Sequence, residues 1–301
     1  MHNPLPVVFT HRILVPLWFV MILSAAPSSG DQTDPAVSDK PEKNKKSAAS
    51  NQVISFLAAS STTEVMREIC MQFELQTGHR VELTLGGSSS LARQILSGAE
   101  ADLFLSANER WVDTIAQQPN RRGLSRIENR SNLLQNRLVV VLPTTASHKV
   151  STLQDLLKDQ IQNLALANPS VPAGIYAREV LKATGLLESL EPKIISGDNV
   201  RTTLAYVETA SAQAGIVYAT DTYIRPEKLK TALTIPRHLH SPINYPLVLL
   251  RHGRHHPGAI ELFKYLQSPR AAVIYQKYHF LINTATQDFS QALPPTDPVP
   301  S

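Results

Sequence analysis

Thr84-Leu-Gly-Gly-Ser-Ser-Ser-Leu-Ala-Arg-Gln-Ile95 is the stretch on which the reading of this chain turns. A β-prone run, Arg80 to Leu85, leads into it. Two glycines then free the backbone from side-chain sterics. Three serines follow, and Leu91, Ile95 and Leu96 open an apolar helical stripe. A small, hydroxyl-rich turn at the start of a helix presents unpaired backbone N–H groups and the positive end of the helix dipole, a combination that binds anions. The plainer alternative is that Ser88 or Ser89 merely caps the helix. The surrounding sequence has to decide between the two.

With 301 residues the chain is long enough for one large domain or two modest ones. Hydrophobic residues make up 43%, which suits a globular protein. The net charge is +4 with both signs interspersed, so a basic face for nucleic acid is not indicated. A single cysteine, Cys70, leaves no internal disulfide or multi-cysteine metal site. It shares a helical face with Val65, Met66, Ile69 and Phe73 and reads as a small buried hydrophobe.

Outward from the glycine–serine stretch, strands alternate with helices, the mark of an α/β fold with largely parallel sheets. Val53 to Ala58 is a nearly continuous apolar strand, and Ala59 to Thr62 opens a helix that Gly78 ends. Asp102 to Ser106 is a strand, followed by a helix from Trp111 to Gln117. Further strands are expected at Asn136 to Leu142, Leu164 to Ala167, Lys193 to Ser196, Gly215 to Tyr218, Leu233 to Pro236 and Pro246 to Leu250. Helices are expected at Leu153 to Leu157, Tyr176 to Thr184, Thr202 to Thr209, Ala259 to Leu266 and Pro269 to Tyr278. Residues 1–26 read as an export signal: His11 and Arg12, an apolar run from Ile13 to Leu23, then small residues. Residues 27–52 are a polar linker without the apolar content to fold, and residues 283–301 a polar, proline-rich tail.

Six segments occur in order: Ala58-Ala-Ser-Ser-Thr62, Gly86-Gly-Ser-Ser-Ser-Leu-Ala-Arg-Gln-Ile95, Ala101-Asp-Leu-Phe-Leu-Ser-Ala107, Val171-Pro-Ala-Gly-Ile-Tyr-Ala177, Asp198-Asn-Val-Arg201 and Gly215-Ile-Val-Tyr-Ala-Thr-Asp221. Together, from Val53 to Leu281, they closely resemble the periplasmic molybdate-binding proteins of ABC importers, the ModA family of type II periplasmic binding proteins. The resemblance implies a two-lobed α/β fold, each lobe a mixed, mostly parallel sheet flanked by helices, with the ligand in the cleft between them. It places the first lobe at 53–132 plus 245–282 and the second at 133–244. By motif, the oxyanion-binding positions it implies are Ser60, Ser88, Ala173, Val200 and Tyr218. It further implies a periplasmic monomer that binds molybdate, and tungstate with it, with no other cofactor, and delivers the ion to an ABC permease and its ATPase. Asn108 departs from the family pattern, which often has aspartate after Ser-Ala, at little expected expense to function.

These residue types suit a tetrahedral dianion. Taking such an ion out of water is expensive unless every oxygen is hydrogen-bonded. None of the five positions is Lys or Arg. Hydroxyls of Ser60, Ser88 and Tyr218 and backbone N–H groups would do the work, each bond to a charged acceptor being worth roughly 1.5–3 kcal/mol. Such donors do not titrate near neutrality. A donor ring set for long metal–oxygen bonds leaves a smaller anion under-bonded. Arg93 and Arg201 lie close to the loops in sequence and are expected to bridge to carboxylates or steer anions.

An enzyme reading finds no Gly-x-Ser-x-Gly elbow, phosphate loop, Gly-x-Gly-x-x-Gly or His-Glu-x-x-His. A metal site at His252, His255 and His256 competes with a solvated turn before Pro257. A receptor for sulfate or phosphate, or an oxyanion sensor, stays open as an alternative on the same fold.

Overall fold

The computed structural model describes residues 52–283. The expected export signal, the linker through residue 51 and the tail from residue 284 lie outside the described residues. The chain runs through β1 (Ile54–Ala59), α1 (Thr63–Thr77), β2 (Val81–Gly86), α2 (Ser88–Leu96), β3 (Leu103–Leu105), α3 (Glu109–Gln117) and β4 (Ile127–Gln135). It crosses into β5 (Leu138–Pro143), β6 (Leu164–Ala167), α4 (Pro172–Ala183), α5 (Leu187–Leu190), β7 (Ile194–Gly197), α6 (Val200–Glu208), β8 (Ala214–Tyr218), α7 (Ala219–Thr222) and β9 (Leu229–Thr234). It returns with β10 (Asn244–Leu250), α8 (Pro257–Tyr265), α9 (Pro269–Lys277) and β11 (Leu281–Ile282).

Two mixed sheets result, one per lobe. The first has the order β11-β4-β10-β3-β1-β2, the second β7-β6-β8-β5-β9. β1 is parallel to β2 and β3, whereas β10 is antiparallel to β3 and β4. In the second sheet β6 is parallel to β7 and β8, whereas β5 is antiparallel to β8 and β9. The chain passes between sheets at Asn136–Arg137 and again between β9 and β10.

The apolar strands are covered on both faces. Phe56 and Leu105 pack toward α1 residues Ile69 and Phe73, while the alternate residues Leu57, Phe104 and Val248 meet Leu91 of α2 and Val112 of α3. This period of two across a sandwiched sheet explains why β1 reads as a continuous apolar run. Cys70 is buried in the same α1 packing, which pushes its thiol up to about 12. Gly78 closes α1 with a left-handed φ of 77°, as its position predicts.

Register puts the loops of interest at one end of each sheet. Ala59 of β1 pairs with Gly86 of β2, so Ser60 and Ser88 leave the first sheet side by side. Ala167 of β6 pairs with Gly197 of β7, so the loops before α4 and α6 leave the second sheet together. Several elements depart from the sequence expectation: α5, α7 and β11 are additional, and α4 starts at Pro172, four residues earlier than expected. β4 was not anticipated, because Ile-Glu-Asn-Arg-Ser-Asn at its start has no apolar alternation; backbone pairing with β10 holds it. β9 starts at Leu229, earlier than expected, and is a largely exposed edge strand. Leu153–Leu157 is a 3-10 turn, not an α-helix, tied at its start by Asp155 accepting from the Ser151 and Thr152 N–H groups.

Gly174 marks where α4 is pressed against the end of β6. A Cβ there would lie 2.2 Å from the Asn168 carbonyl oxygen and 2.3 Å from that of Ala167. Rigid backbone cannot yield as a side chain would, so Gly174→Ala is expected to lower stability by about 1–3 kcal/mol. Urea unfolding of the two proteins without added ions measures it.

Candidate anion site between the two lobes

Each of the five sequence-predicted positions sits at or beside the start of a helix. Ser60 begins a short 3-10 turn that runs into α1. Ser88 is the first residue of α2, Ala173 the second of α4, and Val200 the first of α6. Tyr218 ends β8 immediately before α7. All five line one small cavity, together with Ser61, Gly87, Ala107, Val171 and Pro172 among others. No ionisable side chain other than Tyr218 contributes to that lining. Burial drives the Tyr218 phenol well above its ordinary value of 10, so it stays a neutral donor.

The helix starts around the cavity are left unfilled. The residues preceding the Ser60 turn, α2 and α4 are Ala59, Gly87 and Val171, and none supplies a side-chain cap. Three helices whose first residues do not line the cavity are capped: Asn108 at α3, His256 at α8 and Ser268 at α9 each accept a backbone N–H. At α6 the Asn199 side chain accepts from Arg201 and Thr202, the second and third residues, and not from Val200. Helix geometry gives the first N–H groups no partner inside the helix, so these ends present donors to the cavity.

The hydroxyls are arranged in the same way. Ser88 Oγ accepts the Ala107 N–H at 2.9 Å, which leaves its own proton to donate elsewhere. The capping role weighed for Ser88 and Ser89 falls to Gly87 instead, which has no side chain to cap with. The Tyr218 hydroxyl is buried and has no hydrogen-bond partner among the described residues. A buried, unpaired hydroxyl is costly and uncommon, and so asks for a partner the protein does not provide.

Behind the cavity a neutral network joins both lobes and both crossings. Ser61 Oγ lies 3.0 Å from the Tyr245 hydroxyl, and Asn136 Nδ2 donates to that hydroxyl at 3.2 Å and to Thr220 Oγ1 at 2.9 Å. Asn108, expected to matter little, spans the cleft: its Nδ2 donates to the Tyr176 hydroxyl at 2.7 Å while its Oδ1 caps α3. Trp111 Nε1 donates across to the Ser170 carbonyl at 3.1 Å. Sequence reasoning missed these ties because each joins residues more than fifty positions apart. The histidine cluster serves locally: His256 caps α8, and Arg254 Nε donates to His255 Nε2 at 2.8 Å. Neither Arg93 nor Arg201 lines the cavity.

The family described as "Bacterial extracellular solute-binding protein" matches residues 54–281. The chain belongs to this family. Among its relatives, the molybdate-binding protein ModA of Escherichia coli (strain K12) is 36% identical over 239 residues, 76% of this chain and 89% of that protein. ModA of Haemophilus influenzae is 31% identical, over 78% of this chain and 92% of its own length. The periplasmic molybdate-binding protein of Azotobacter vinelandii superposes with a TM-score of 0.69 at 20% identity, covering 77% of this chain and all of that one, a likeness of fold. Proteins of this family bind solutes for transport and are not enzymes.

One ionisable group lies just behind the site. Asp221 is fully buried, and its Oδ2 accepts the Tyr218 N–H at 3.1 Å. Burial lifts its carboxyl from 3.8 to about 6, against the opposing pull of Arg201. The folded state therefore holds this proton more tightly than the unfolded chain. Stability from this group is present in full below about pH 4 and is lost as the pH rises through about 6. Asp221→Asn keeps an acceptor for Tyr218 and is expected to remove that loss. Urea unfolding at pH 4.5 and pH 7, compared between wild type and variant, reads it as a smaller pH difference in the variant.

Proposed function

We propose that this chain binds molybdate, and tungstate with it, in the interlobe cavity and hands it to an ABC importer on the outer side of the cytoplasmic membrane. The observation that carries the reading is an interlobe cavity lined by the unpartnered Tyr218 hydroxyl and by helix starts without side-chain caps, with no charged side chain in its lining. A tetrahedral dianion supplies acceptors in every direction and needs no cation if enough neutral donors converge. In this reading Ser60, Ser88 and Tyr218 donate through their hydroxyls, and Ala173 and Val200 through backbone N–H groups. The choice of molybdate over other oxyanions draws on the relatives named above, and periplasmic residence and partnership with a permease and its ATPase draw on the same relationship.

Open lobes admit the ion, and only the closed arrangement satisfies all its oxygens, so binding favours closure. Ala173 and Val200 act through backbone, so Ala173→Gly is expected to change affinity little. Ser88→Ala removes a donor and also strands the Ala107 N–H, so binding and stability should both fall.

The test is a thermal-shift panel with molybdate, tungstate, sulfate and phosphate, followed by titration calorimetry. Molybdate and tungstate are expected to raise the melting temperature by several degrees, since an ion at a hundred times its Kd adds about 2.7 kcal/mol. A shift with sulfate alone would overturn the assignment. Tyr218→Phe is the sharper probe. It deletes a hydroxyl with no protein partner, so the ion-free protein should be at least as stable, while molybdate binding weakens by about 1–3 kcal/mol. Unchanged affinity in Tyr218→Phe would remove the tyrosine from the site.

A further inference from the structure

We infer that Arg201 is the clasp that holds the two lobes shut over the ion: a positioning residue that never touches the ligand and sets how long it stays. The inference rests on the cavity being the oxyanion site proposed above. Arg201 follows Val200 in α6, on the second lobe. Its side chain reaches the first lobe, where Nε donates to the Ser60 carbonyl at 3.1 Å and Nη2 to the Ser61 carbonyl at 3.3 Å. Nη2 also meets Glu64 Oε2 of α1 at 2.5 Å. Among the described residues this is the one ion pair that joins the lobes; every other lies within one of them.

Three features make this more than a surface salt bridge. The Arg201 side chain is 21% exposed and Glu64 34%, so the pair is partly shielded from water. The guanidinium fork uses two carbonyls and a carboxylate at once, a set that lysine cannot reproduce. Asp221, at 3.6 Å and fully buried, belongs to the second lobe and moves with Arg201. On opening, Arg201 would keep Asp221 and lose all three partners on the first lobe. Only interactions that differ between the two states shift the balance between them, and these differ.

The location also matters. A cation in the first turn of a helix opposes the helix dipole, so α6 is a poor place for an arginine on local grounds. The side chain nonetheless bonds the carbonyl of Ser60, whose hydroxyl lines the cavity, while its neighbour Val200 lines it from the other side. Arg201 therefore fixes the separation of two donor groups on opposite lobes without entering the lining.

Stopped-flow measurement of molybdate release and small-angle X-ray scattering test this on the full chain. Arg201→Gln is expected to speed dissociation about 30-fold or more, the usual result of truncating one partner of a shielded charged pair, with association changed far less. Arg201→Lys should recover only part of the loss. Glu64→Gln, which keeps shape and can still accept from Arg201, should speed release by a smaller factor and serves if Arg201→Gln folds poorly. Without ion, Arg201→Gln should have a larger radius of gyration than wild type. Wild-type release rates in both Arg201→Gln and Glu64→Gln, or a loss confined to association, would overturn the clasp. A wild-type chain that binds no oxyanion would instead overturn the ligand reading; ion-free scattering then decides the clasp, and equal radii would end it.

Discussion

An anion can be stripped of water without a counter-cation only where polar hydrogens already converge with nothing else to bond. The interlobe cavity of this molecule fits that constraint. Three helices whose first residues do not line the cavity spend a side chain on capping, through Asn108, His256 and Ser268. Around the cleft the equivalent positions are Ala59, Gly87 and Val171, which have no side-chain oxygen to offer. Asn199 is the instructive intermediate. It caps the second and third residues of α6 and passes over the first, Val200, which lines the cavity. Leaving a cap empty costs about 1 kcal/mol each time. A chain that does so at three converging helix starts, and leaves a buried tyrosine hydroxyl unpaired beside them, is less stable without a ligand than it needs to be.

Charge is present near the cleft but is kept one layer back. Arg201 is balanced by Glu64 and Asp221, and among the described residues no Lys or Arg lines the cavity to attract anions without regard to shape. Donors fixed by helix backbone cannot follow a smaller ion inward, so discrimination falls to geometry. Gly87 shows how close the lobes come: a Cβ there would sit 3.1 Å from the Asp198 carbonyl across the cleft. Selection by shape requires that the two lobes meet at a defined spacing, which passes the burden from the donor loops to the contacts that set closure.

This division also explains what could be read from the chain before its structure. The segments proposed to donate stood out because each puts small or backbone-permissive residues in a row: Gly86-Gly-Ser-Ser-Ser90, Val171-Pro-Ala-Gly174, Asp198-Asn-Val-Arg201. The buried strands were legible because β1 and β5 are apolar on both faces. β4 was not, since Ile127 to Asn132 carries no apolar period and owes its place to β10. The cleft-spanning contacts were equally silent. Nothing local marks Asn108 as a donor to Tyr176 or Arg201 as a donor to Ser60, because such pairings exist only once two distant lobes have folded and met.

The crossings carry the last part of the logic. Asn136 lies in the first crossing, between β4 and β5, and Tyr245 sits near the start of β10 just after the second, and they bond each other at 3.2 Å. From that point Ser61 ties in the first lobe and Thr220 the second. Because this knot joins both crossings and both lobes, it suits a pivot about which the lobes turn, with Asn108–Tyr176 and Arg201–Glu64 as the ties that must part on opening. Ser60 and Ser88 ride on one lobe and Ala173, Val200 and Tyr218 on the other. Either lobe alone would offer an ion half of its hydrogen bonds, too few to offset desolvation of a dianion. In the proposed reading full coordination and closure are one event, and the energy of holding the ion is inseparable from the energy of holding the lobes together.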